Sequence, residues 1–153
     1  MTELLAWLGY PGFSHSRKRA PKRHPFEVLL TGLAQKRLDA RVAEALPWVA
    51  MNYAQPDFWL VENARRFNLQ NRLGFVVSLA RRVAEARSDR PKSAQLGELD
   101  RLLEESRLIK EDLFYRPPRT VREMEWLRNN RTEDAVHLNV LTDMRPEHLQ
   151  YAT

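Results

Sequence analysis

The sequence predicts an all-α fold: a single compact multi-helix domain over residues 1–153, with an extended basic arm near the N-terminus. Three observations carry this. Helix formers dominate and only 5 glycines occur in 153 residues. Apolar residues recur at helical spacing through most of the chain. The clustered β-branched pair Val76 and Val77 sits inside one of those helical patterns rather than in an alternating strand.

Taken in order, Thr2 is expected to cap a first helix, with Leu4, Leu5, Trp7 and Leu8 on its apolar side. Gly9 and Pro11-Gly12 end it. Residues 14–25 have no apolar period, two prolines and five cations, and read as an extended surface arm. A second helix opens at Pro25 or Phe26. From Leu38 to Tyr53 the spacing is again helical, and Pro47 predicts a kink or two short helices meeting there. Asp57 is expected to cap a helix from Phe58 to Phe67. The longest helix is placed at Leu69 to Arg87, where Leu69, Leu73, Val76, Val77, Ala80, Val83 and Ala84 form one stripe. Residues 88–93, with Pro91, read as a polar break before an acidic C-terminal part. Leu96, Leu99, Leu102 and Leu103 mark a helix ending near Ser106. Thr120 to Glu123 is a capping box opening a helix to about Asn129. Short turns at Glu133–Leu138 and Pro146 complete the chain. The expected core includes Leu46, Val49, Leu60, Ala64, Phe67, Leu73, Val77 and Ala80. Tryptophans are expected mainly in the core, with one ring of the Phe58-Trp59 pair exposed.

Composition narrows the function classes. With 43% hydrophobic and 29% charged residues the chain suits a globular fold, one that buries roughly 68–70% of its unfolded surface at this length. The absence of cysteine excludes disulfides, a thiolate zinc site and a thiol nucleophile. No apolar run reaches membrane-helix length, and the N-terminus lacks the order of a secretory signal, so a cytoplasmic location without a membrane partner is expected. The charge is asymmetric. Through Lys92 the chain holds 16 Lys+Arg against 8 Asp+Glu, and from Ser93 onward 9 against 12. A basic front attracts polyanions and an acidic back repels them.

Candidate sites follow from this asymmetry. Arg17, Lys18, Arg19, Lys22 and Arg23 on the arm are expected to contact phosphates of DNA or RNA. The helix pair across residues 58–87 reads like a helix-turn-helix. Gln70, Asn71 and Arg72 then stand at the start of its second helix, where amides pair with adenine and guanidinium with guanine. Ser78, Arg81 and Arg82 also fall off the apolar stripe. Trp59, with Glu104, Glu105 and Asp112 of the acidic half, is expected to contact a protein partner. Glu133, Asp134 and His137 lie within one helical turn, but no second motif completes a metal site. No phosphate loop, nucleophile elbow or triad spacing occurs, so no catalytic residue, metal or cofactor is expected.

The stretch Leu38 to Trp48, followed by Asn68 to Phe75, resembles small bacterial proteins of uncharacterised families. Within it, Gln70-Asn71-Arg72-Leu73-Gly74-Phe75 is similar to a segment of the AbiEi-type antitoxins of bacterial toxin–antitoxin systems. That resemblance covers six residues. It implies a protein that neutralises a partner toxin and, as a second role, represses its own operon. The function expected is thus a non-enzymatic, antitoxin-like or regulatory subunit binding a toxin, a nuclease or another protein. The alternative is a helix-turn-helix transcriptional regulator.

Overall fold

The computed structural model describes residues 1–16, 23–149 and 151, and over these the chain forms eight α-helices and one minimal pair of strands. Helix α1 (Thr2–Trp7) starts without a side-chain cap; Met1 stands at the N-cap and Thr2 is already helical, correcting the expected role of Thr2. Gly9, at φ +99°, turns the chain as expected. Pro11–Ser16 forms a 3₁₀ turn, so residues 14–16 belong to a helical turn rather than to the arm. At the arm's other end His24 Nδ1 accepts the Phe26 amide at 3.1 Å and caps α2 (Pro25–Ala34). Both ends of the expected arm, residues 14–16 and Pro25, thus lie in helical turns. Its central residues 17–22 lie outside the described residues.

Asp39 caps α3 (Ala40–Tyr53), which continues through Pro47 as one helix instead of dividing there. Proline inside a helix costs about 3 kcal/mol locally. Here Leu46, Val49 and Ala50 are fully buried around it, and their packing outweighs that local cost. Against α3 lies α2, brought close by Gly32: a Cβ there would stand 2.8 Å from Leu46 Cδ2.

Asp57 caps α4 (Phe58–Arg66) by accepting the Leu60 amide at 3.0 Å, as its position predicts. The turn to α5 (Gln70–Ala86) needs one left-handed residue, and Asn68 supplies it at φ 55°. Twelve of the 17 residues of α5 are buried. The predicted stripe is all among the buried set, but so are Gly74, Phe75, Ser78 and Leu79 on other faces. Both sides are covered because α5 is the central helix. A helix enclosed in this way carries apolar residues all round.

Asp89 caps α6 (Arg90–Glu104), which lies along α5. The expected break at 88–93 is shorter, because Pro91 sits in the first turn of α6, where its missing N–H costs nothing. Two-residue strands β1 (Asp112–Leu113) and β2 (Val140–Leu141) pair in parallel, Asp112 opposite Val140 and Leu113 opposite Leu141. Between them lie α7 (Val121–Asn129) and α8 (Glu133–His137). A 3₁₀ turn at Pro146–His148 leads to Tyr151. The Tyr151 hydroxyl donates to the Glu44 carbonyl and its ring meets Tyr10 edge-on, tying the C-terminal segment to α3.

The expected core is buried except for Phe67, which is 60% exposed. Helix α4 ends at Arg66, so Phe67 is its C-cap with non-helical dihedrals and swings out of the stripe. Trp126 is likewise exposed at 52%, against expectation, while Trp48 is half-buried between Tyr10 and Tyr53.

The capping box forms in modified form. Thr120 Oγ1 accepts the Glu123 amide at 3.1 Å, but the Glu123 carboxylate reaches the Arg119 amide, one residue before the cap. Thr120→Ala is expected to cost about 1 kcal/mol, read as a lower urea midpoint at unchanged slope. An unchanged midpoint would mean that α7 is held by its packing alone.

Candidate functional site

The start of α5 is an anchor inside the protein. Gln70 and Asn71, expected to face outward as base readers, are 5% and 1% exposed. Asn71 Nδ2 donates to the carbonyls of Leu108 and Leu138, both at 2.8 Å, and its Oδ1 accepts the Leu108 amide at 2.9 Å. Gln70 Nε2 donates to the Ser106 carbonyl. The loop after α6 and the end of α8 have no helical partners for these backbone groups, and the two amides supply them. Both side chains are committed to the interior and present nothing to a DNA groove.

Arg72 is also spoken for. Its guanidinium makes a two-point pair with Asp112, Nε and Nη2 each at 2.8 Å, and Nη1 donates to the Leu33 carbonyl at 2.7 Å. One side chain thus joins α5, α2 and β1, and Asp112 is its partner rather than a free acidic contact. Ser78, also expected outside, is buried and donates to the Phe75 carbonyl.

Beyond it on α5 lies a polar cluster facing α6 and α8. Arg81 pairs with Asp100 at 3.2 Å, Arg82 with Asp134 at 3.2 Å, and His137 Nε2 lies 2.8 Å from Glu104, which also meets Arg107. Burial pushes the Asp100 carboxyl up to about 6, against the pull of Arg81 and with added repulsion from Asp134 and Glu104. Glu133, Asp134 and His137 do not converge: Asp134 and His137 turn to different partners. Among the described residues no group of three or more His, Asp or Glu side chains could hold a metal ion. Glu105 is exposed and only loosely paired with Arg101 at 3.6 Å. Glu104, Glu105 and Asp112 therefore do not form one acidic surface.

Of the residues named from sequence, Trp59 stands beside a surface groove. It is 45% exposed, and Phe58, beside it on α4, is 81% exposed. With Phe67 at the far end, this short helix shows three large aromatic rings to solvent. Its inner face buries only Leu60 and Ala64. Trp59 and Phe67 border a groove of about 970 Å³ running between α4, α2 and the segment 108–112. Arg23, the one described cation of the basic arm's candidate set, is exposed on the rim of this groove. Sequence reading missed Phe67, assigned to the core, and the groove cations Lys36 and Lys110. The available signal was Asn68, a left-handed turn residue that ends α4 before Phe67 can face inward.

Among the described residues no helix is long and apolar enough to cross a membrane. Compared with protein-family models, curated proteins and solved structures, the chain matches none.

Proposed function

We propose that this chain is a non-enzymatic interaction module, an antitoxin-like or regulatory subunit that binds another protein through the exposed aromatic residues of α4 and its C-terminal end. The observation that supports this reading is the exposure of Phe58, Trp59 and Phe67 within ten residues of sequence. Aromatic rings left in water forfeit burial energy of about 25 cal/mol per Å². Large exposed aromatics serve as anchors when a partner covers them. Asp57 caps that helix and the left-handed Asn68 ends it, so it is already formed and little ordering is needed on binding.

The test is photocrosslinking in the organism of origin, with a crosslinkable phenylalanine analogue at Phe58 and, separately, at the buried Leu60 as control. One discrete protein adduct from position 58 and none from 60 is the expected result. The absence of an adduct at 58 and at Trp59 overturns the reading. Where the captured protein arrests growth when produced alone and this chain relieves it, the subunit is antitoxin-like; where it does not, the subunit is regulatory.

A further inference from the structure

The groove beside α4 carries the chemistry of its occupant. We infer that it takes a helix of the partner protein bearing aliphatic side chains flanked by carboxylates; this rests on the protein-binding reading above and specifies its ligand. The floor is aliphatic: Leu30 and Ala34 from α2, with Leu69 at the start of α5. Trp59 and Phe67 form one wall. Such a lining accepts aliphatic side chains and offers no hydrogen bonds to them.

The rim supplies the charge. Arg23, Lys36 and Lys110 border the groove, and none forms an ion pair with another described residue. Three carboxylates share the same mouth, but two are already neutralised. Asp112 is held by Arg72, and Glu111 by Arg128 at 2.7 and 3.0 Å, which keeps the Glu111 carboxyl below its usual range. Glu27 alone stands against the three cations. The unbalanced charge is positive, so the complementary partner is acidic.

The two helical walls favour one backbone form. Two of the three walls, helices α2 and α4, spend their backbone groups internally and give an incoming chain no main-chain partners, leaving only the short segment 108–112 to offer any. A bound segment must satisfy its own backbone, and a helix laid in the groove does so. The same geometry disfavours a nucleic-acid strand. Its bases would meet an aliphatic floor that offers their edges no hydrogen bonds.

The probe is a fluorescent amphipathic peptide of about 18 residues, five helical turns, with Leu and Ala on one face and Glu flanking them. A twin carries Lys in place of Glu, and an oligothymidylate is the third ligand. Anisotropy at low salt is expected to show the Glu peptide binding at least about tenfold tighter than the Lys twin. Trp59→Ala, and separately the double change Lys36→Glu with Lys110→Glu, each weaken it about tenfold or more. All three positions are exposed, and circular dichroism of each variant checks the fold. Equal affinity for the two peptides, or indifference to both variants, overturns the inference. Preferential binding of the oligothymidylate also overturns it and assigns the groove to nucleic acid. A crosslinked adduct at Phe58 without groove binding leaves the module reading intact. Groove binding without an adduct removes that reading instead.

Discussion

Asn71→Ala is expected to destabilise the protein by about 3 kcal/mol, the largest effect of any single polar substitution on α5. The amide holds two carbonyls and one amide from segments 37 and 67 residues away in sequence. Its removal leaves the Leu108 N–H and the Leu138 carbonyl without partners. The Leu108 carbonyl keeps the Asn139 amide at 3.1 Å. Each buried group left unsatisfied costs about 1–3 kcal/mol, with a small cavity in addition. Asn71→Asp is expected to do at least as much harm, because a carboxylate would then face the two carbonyls. Against a total stability of about 5–15 kcal/mol, such a loss moves the urea midpoint far outside error. A change below about 0.5 kcal/mol would be that of a surface residue, and would mean that Asn71 does not hold these segments.

Asn71 also marks the limit of what the sequence discloses. Local chemistry was legible: Asp57 and Thr120 cap the helices they precede, since a cap depends only on residues three positions away. The stripe of α5 was legible because burial and helical period coincide there. Its other faces were not, because nothing local distinguishes a polar side chain that meets solvent from one that meets the loop at 106–108. Asn and Gln at a helix start suit a base edge and a carbonyl equally well. Phe67 failed for a related reason, since one residue of difference in helix length turns a core ring outward. The β1–β2 pair, two residues per strand and a long loop apart, leaves no alternating pattern to read. At the groove, Trp59 was legible as an aromatic at a helix start. The net charge around it was not, because it depends on Asp112 and Glu111 finding arginines from α5 and α7.

Asp100 is expected to make the stability fall with rising pH in a window where most carboxylates do the opposite. Its side chain is 18% exposed on α6. It faces Arg81 and Arg82 from α5, Asp134 from α8 and Glu104 from its own helix. Burial and the two carboxylates prevail over the arginines, raising its value from 3.8 to about 6. Below pH 3.8 the group is protonated in both folded and unfolded chains and has no effect on the balance. Between 3.8 and about 6 the folded chain holds the proton more firmly, so each rise in pH removes stability. Above about 6 the loss is complete, and the shift corresponds to about 3 kcal/mol. Asp100→Asn has no charge to desolvate and still offers Arg81 an acceptor. The variant is therefore expected to exceed the parent above pH 6 by about 1–2 kcal/mol, the weaker Arg81 contact offsetting part of the gain. Toward pH 4 that advantage shrinks. Subtracting the two urea-unfolding curves across pH 4 to 8 isolates Asp100 from the His137–Glu104 pair beside it, which both proteins share. A difference that stays level across that range, or a parent more stable than the variant at pH 8, would show that Arg81 compensates the buried charge fully. The cluster between α5, α6 and α8 would then be a stabilising ion-pair network rather than a strained one.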